Sequence, residues 1–130
     1  MVTRAHLDTD FLVFAIGSAG PERARLRELT REGAEVKMSA IAWYEFCRGP
    51  RTPQQVALAR DVLSDDGIVP FDASLAERAA DVFRGLGSPR KRAQDIAIAV
   101  TAVAAGATLF TRNARDFRGI DDLVLGGAPA

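Results

Sequence analysis

The sequence predicts an α/β domain with a largely parallel sheet of four or five strands flanked by helices, and three observations lead there. Short apolar, strand-like segments are separated by longer helical ones. The helical segments carry start and stop residues of the usual kinds. Acidic or polar residues stand just after several of the strand-like segments, at the edge where open parallel sheets gather their ligands.

Taken in order, Arg4 to Leu7 reads as the first strand and delivers Asp8 at its carboxyl end, with a short helix from about Phe11. Pro21 suits a first helical position, Leu26 and Leu29 supply an apolar stripe, and Gly33 is a natural stop. Ala34 to Met38 forms a second strand, Ser39 a cap, and Ala40 to Cys47 a helix that carries Glu45 and ends at Gly49-Pro50. Thr52, Pro53 and Gln55 make a capping-box start for a helix running to about Ser64. Asp65-Asp66-Gly67 breaks it, Ile68 to Phe71 is a third strand, and Asp72 caps a helix ending near Gly85 to Gly87. Ser88 to Arg92 is a short basic connection. From Asp95 to Ala105 every residue but Thr101 is apolar or small after the opening acid, which marks a buried helix that Gly106 terminates. Ala107 to Phe110 gives a fourth strand and Leu123 to Leu125 a fifth. No repeat or linker interrupts the plan, so residues 1–130 are read as one domain.

Composition narrows the chemistry. With 48% hydrophobic and 26% charged residues, the chain can bury a core of its own. Cys47 is the only cysteine and His6 the only histidine, which excludes an internal disulfide and a Cys/His zinc site and points to a reducing cytoplasm. No stretch approaches the roughly 20 apolar residues of a membrane span, so neither export nor membrane insertion is expected. Net charge is zero, and any contact with nucleic acid must come from local clusters. Arg23, Arg25, Arg27 and Arg31 read as a solvated helix face. Arg90, Lys91 and Arg92, and likewise Arg112, Arg115 and Arg118, flank acidic positions and are candidates for phosphate contacts or for exposed loop.

Carboxylates are the only metal ligands available in quantity. Asp8 follows the first strand, Glu45 lies in an apolar helix, Asp95 opens the buried helix and Asp116 follows the polar run Thr111-Arg112-Asn113. Each has a plainer reading. Asp8 and Asp10 can be turn or capping residues, Asp95 a favourable first-turn residue, and Asp116 a brace for Arg112 or Arg115. Glu45 is the hardest to explain away, because Ile41, Trp43, Phe46 and Cys47 predict a largely buried helix, where an unpartnered carboxylate is costly. It lies roughly 9 Å along its helix, and helical side chains lean toward the amino end, back to the same sheet edge. Acids converging there would repel one another and hold protons unless a cation neutralised them. Magnesium or manganese fits such an oxygen-rich site and favours phosphodiester hydrolysis.

The motifs Leu7-Asp8-Thr9-Asp10, Ser39 to Gly49 around Glu45, Asp95-Ile96-Ala97-Ile98-Ala99 and Thr111 to Phe117 resemble those of the PIN-domain ribonucleases, in particular the VapC-like toxins of toxin-antitoxin pairs. The resemblance spans about Ala5 to Val124. It implies that Asp8, Glu45, Asp95 and Asp116 form an acidic magnesium site, supported by Thr9, Thr111 and Asn113. It also implies an RNA substrate, a cognate antitoxin and a homodimer; the basic residues Arg90, Lys91, Arg92, Arg112 and Arg115 stand as the candidate RNA contacts. Two departures stand out. Asp10 occupies a position where relatives often carry asparagine or serine, and Ser88 to Gln94 is unusually basic.

Two rivals follow from the same residues. Asp8-Thr9-Asp10 also resembles the opening of the haloacid-dehalogenase-like phosphatase motif, but Leu12 replaces its last element and only Lys37 and Lys91 are available as the catalytic lysine. A catalytically silent PIN-like module that binds RNA or protein is the other.

Overall fold

A computed structural model describes residues 2–128 of the chain. Its elements are β1 (Arg4–Leu7), α1 (Thr9–Gly17), α2 (Pro21–Arg31), β2 (Glu35–Ser39), α3 (Ala40–Arg48), α4 (Pro53–Val62), β3 (Ile68–Val69), α5 (Ala73–Gly85), α6 (Ala93–Ala104), β4 (Thr108–Phe110) and β5 (Val124–Gly126). Short 3-10 turns at Arg90–Arg92 and Ala114–Phe117 lie before α6 and after β4.

The five strands pair in the order β3-β2-β1-β4-β5, every pair parallel, with α-helices on the flanks. β1 is central. It faces β2 with Ala5 opposite Val36 and β4 with Leu7 opposite Phe110. Parallel strands covered on both faces lose the in-out alternation of a half-exposed sheet. Ala5, His6 and Leu7 are accordingly all buried in succession. Because the chain builds outward from β1 through β2 to β3 and then returns to the other side for β4 and β5, the order reverses between β1 and β4. A crevice at the carboxyl ends of those two strands follows from that reversal.

The core is a single apolar cluster in which Phe11, Leu12, Met38, Phe46, Ile96, Ile98 and Leu109 are almost wholly hidden. Burial of each such side chain contributes about 1.5–3 kcal/mol. Phe11 and Phe110 meet with ring centroids 5.8 Å apart and tilted planes. The buried helix read from Asp95 onward is α6, whose residues Ile96 to Ala102 are all buried.

Several boundaries differ from the sequence reading, each for a physical reason. α1 starts at Thr9 rather than near Phe11, because the Asp8 carboxylate caps it by accepting from the Thr9 amide at 2.8 Å. α4 stops at Val62 because Ser64 is drawn onto β2: its hydroxyl accepts from Val36 N at 2.9 Å and its amide donates to Val36 O at 2.8 Å. β3 ends at Val69, where Pro70 has no N–H to continue the ladder. α6 begins at Ala93, so Asp95 lies within its first turn, and the preceding basic connection is itself a 3-10 turn. β5 is displaced by one residue to Val124–Gly126. Gly126 lies beneath the Phe110 ring, where a Cβ would come within 2.8 Å of Phe110 Cε1 and 3.0 Å of Thr108 Cγ2.

Candidate active site

Asp8 leaves β1 at the crevice, and its backbone is tied across it by Asp8 N donating to Phe110 O at 2.9 Å. Only 6% of the residue is exposed, yet both carboxylate oxygens are bonded. Oδ1 accepts from Thr9 N and Oδ2 from the Thr111 hydroxyl, each at 2.8 Å. Thr111 also accepts from Asn113 N at 3.0 Å, and Asn113 Nδ2 donates to Asp10 Oδ2 at 2.9 Å. The segment after β4 is thereby fastened to the start of α1 at two places.

Glu45 arrives from α3 with its side chain 17% exposed. The Thr9 hydroxyl lies 2.9 Å from Glu45 Oε1 and 3.3 Å from the Ala42 carbonyl. Its single proton goes to the carboxylate, the nearer and charged acceptor. α3 itself is buried on one side only: Ala42 and Phe46 face the core, four residues apart, while Tyr44 and Cys47 are exposed. The expectation of a largely buried helix is corrected in that respect, and the expected partner for Glu45 is Thr9.

Asp8, Asp10, Glu45, Asp95 and Asp116 all line one cleft of about 310 Å³. The electrostatic consequence is visible in two of them. Burial pushes the Asp8 carboxyl up to about 6, against the lowering hydrogen bonds from Thr111 and Thr9, with Asp10 and Glu45 pushing the same way as burial. Burial likewise raises Asp95 to about 6, reinforced by the negative charges of Asp8, Asp116, Glu45 and Asp10. Acids so placed bind a proton or a cation readily.

The donor set suits a hard divalent ion, since every acidic group in the cleft offers oxygen and no thiol or imidazole intrudes. Among the described residues, no three acidic, histidine or cysteine side chains are drawn together as a ready-made ligand cluster. An ion such as magnesium, which keeps part of its water shell, fits a cleft of spaced carboxylates better than a metal needing a closed cage.

Two arginines that the sequence reading did not single out also line the cleft. Arg48 Nη2 stands 4.0 Å from Glu45 Oε2, a weak and largely solvated pair one helical turn along. Arg51 stacks its guanidinium 5.1 Å from the Phe46 ring, and its buried Nε has no hydrogen-bond partner among the described residues. The three-residue spacing from Glu45 was a signal for Arg48. Arg51 follows Gly49-Pro50, where no helical periodicity carries forward.

None of the five basic residues read as RNA contacts lines the cleft itself. Arg112 lies 3.5 Å from the Phe14 ring centroid with its Nε 3.6 Å from Glu22, so it does not pair with Asp116. Arg92 donates to the main-chain carbonyls of Asp116 and Arg118. Arg90, Lys91 and Arg115 are exposed. Of the first arginine cluster, Arg23 is no free surface group: it caps the end of α1 by donating to Ala15 O at 2.9 Å and Ile16 O at 2.7 Å.

The sequence matches the PIN domain over residues 5–123. Among solved structures, VapBC2 from Rickettsia felis bound to a DNA fragment from its promoter is similar, with a TM-score of 0.75 at 22% identity over 98% of this chain and 100% of that one. DNA-bound VapBC from Salmonella typhimurium gives a TM-score of 0.72 at 20% identity, covering 98% of each chain. A toxin-antitoxin complex from Klebsiella pneumoniae gives 0.66 at 24% identity, over 92% of this chain and 95% of that one. No curated protein sequence matches. With the match covering nearly all of the sheet and every acid of the cleft, the chain belongs to the PIN-domain family.

Proposed function

We propose that this PIN domain is a magnesium-dependent endoribonuclease, manganese being a substitute, and that it acts as the toxin of a cytoplasmic toxin-antitoxin pair. The observation that carries the reading is the gathering of Asp8, Glu45, Asp95 and Asp116 in one cleft, with Asp8 and Asp95 both held near 6. Asp8, Glu45, Asp95 and Asp116 would hold the ion, which supplies water activated at neutral pH and offsets charge on the scissile phosphate. Thr9 and Thr111 orient Glu45 and Asp8 by the hydrogen bonds described above, and Asn113 orients Asp10. Arg48 and Arg51 bring positive charge to the rim, where a phosphodiester backbone would otherwise meet only acids. Hydrolysis then leaves a 5′-phosphate and a 3′-hydroxyl.

A partner protein is part of the same reading. The solved relatives named above include toxin-antitoxin complexes, and a groove of about 560 Å³ touching Ile16, Leu26, Leu58 and Val62 offers an apolar segment a seat. Arg23, Arg27 and Arg31 rim the same groove, so a segment with acidic as well as apolar residues suits it. The toxin is expected to be a homodimer. No helix among the described residues is long and apolar enough to cross a membrane.

The phosphatase alternative loses support, since no lysine lines the cleft. Cleavage of RNA by the purified chain with magnesium, lost with chelator and lost in Asp8→Asn, tests the proposal. Metal-independent binding of RNA without cleavage would establish the silent module instead.

A further inference from the structure

Asp116 is the most exposed of the proposed ligands, and its carboxylate has no hydrogen-bond partner among the described residues. Its position therefore depends on the turn that carries it. Ahead of the turn, Thr111 and Asn113 are fastened to Asp8 and Asp10. Inside it, Phe117 is 2% exposed and anchored in the core. The turn is closed internally by Asp116 N donating to Asn113 O at 2.9 Å, and it is gripped from α6's side by Arg92, whose Nε donates to the Asp116 carbonyl at 3.2 Å and whose Nη2 donates to the Arg118 carbonyl.

Arg92 is the residue immediately before α6, and Asp95 is the third residue of that helix. One rigid element thus carries Asp95 through its own backbone and grips the Asp116 turn through a guanidinium. We infer that Arg92 is a positioning residue that fixes Asp116 relative to Asp95, so that both carboxylates would be placed to hold a divalent ion in the cleft. The inference rests on the reading of the cleft as a metal site. The planar fork of arginine can reach two carbonyls together, which a single ammonium does less well. Because those donors point into the main chain of the turn, Arg92 acts on the substrate through Asp116.

Manganese affinity, measured by calorimetry without RNA, reads this directly. Compared with the wild type, Arg92→Ala should bind manganese about tenfold more weakly, with Arg92→Lys between the two. Asp116→Asn should also bind more weakly. The double variant Arg92→Ala/Asp116→Asn should bind no worse than Asp116→Asn alone, because the clamp has nothing left to position. Amide exchange in residues 113–118 should quicken in Arg92→Ala with or without metal, while the core amides of α6 keep their protection.

An Arg92→Ala loss that persists undiminished in the Asp116→Asn background overturns the inference, as does unchanged manganese affinity in Arg92→Ala. A higher KM for RNA with manganese affinity intact would likewise overturn it, in favour of a direct phosphate contact. Failure of the metal-site reading looks different: neither the wild type nor Asp116→Asn would bind manganese, while faster exchange in Arg92→Ala would still report the clamp.

Discussion

His6 and Asp8 stand two residues apart on and just after the central strand, and both are nearly inaccessible, at 3% and 6% exposure. Their surroundings differ in kind. His6 lies toward the amino end of the sheet beside Arg4, Glu35 and Lys37, and burial, then the Lys37 charge, lowers it to about 4. Its Nδ1 has no hydrogen-bond partner among the described residues, but as a neutral ring it leaves no buried charge. Asp8 is raised to about 6 among other acids, so near neutral pH it is charged where both burial and neighbours oppose the charge. A buried group that can discharge itself is a structural matter. A cluster of acids that must share protons or a cation to relieve its charge is instead a candidate for function.

The largest difference between the two positions should appear in catalysis. Asp8→Asn or Glu45→Gln should slow magnesium-dependent RNA cleavage by about 100-fold or more, whereas His6→Gln should stay within about threefold of wild type at saturating substrate. Expression without the antitoxin should arrest growth for wild type and His6→Gln and be tolerated for Glu45→Gln. Equal losses at all three positions would erase the distinction between the ends of the strand.

Metal binding should follow the same division. Magnesium at about a hundred times its Kd stabilises a native site by about 2.7 kcal/mol, seen as a higher Tm. Asp95→Asn should blunt that gain, and His6→Gln should preserve it.

Stability against pH separates the two regions by sign. Asp8 and Asp95 have folded values raised from 3.8 to about 6, so without metal their contribution is fully present below about pH 4 and is lost as pH rises through 6. His6 has a folded value lowered from 6.5 to about 4, so its contribution is present above 6.5 and is lost as pH falls through 4. The two oppose each other in the wild type. Metal-free His6→Gln should therefore gain several degrees in Tm, roughly 5 °C, between pH 7.5 and 5. Asp8→Asn/Asp95→Asn should move the other way, and parallel Tm curves for these variants would contradict the assignment.

The smallest expected effect concerns the exposed cations. If Arg90 and Lys91 touch phosphates, replacing both with alanine should reduce the slope of log affinity for single-stranded RNA against log salt by about 1.4. The manganese response should be unchanged. An identical slope would return both residues to the solvated loop.

Signals confined to a few neighbouring residues were readable from sequence. The Thr52-Gln55 capping box is formed in both directions, Asp72 caps α5 through Leu75 N at 3.0 Å, and Ser39 caps α3 through Ile41 N at 3.1 Å. The rule that parallel sheets present ligands at their carboxyl edge places Asp8 and the Thr111–Asp116 segment together from sequence alone. What local pattern does not encode is partner choice across the chain. The Thr9 hydroxyl meets Glu45 36 residues away, Arg92 grips a carbonyl 24 residues on, and Ser64 abandons its helix for an amide 28 residues back. Those pairings are decided by the packing of α1 against α3, of α6 against the Ala114–Phe117 turn, and of the end of α4 against β2, which no single window contains.

Gly126 gives the cleft an order in time as well as in space. By lacking a side chain it lets β5 lie under Phe110, and its carbonyl accepts from Thr111 N at 3.1 Å. Thr111 in turn grips Asp8 across 103 residues of sequence. Every acid of the cleft is synthesised before β5, so a ribosome has already made the whole ligand set when the strand that seats Thr111 emerges. Closing contacts so distant in sequence costs loop entropy and slows folding. On the proposed reading, the nascent chain carries every acid of the site before the strand that braces Thr111 has been made, so the ligands are complete before their alignment is.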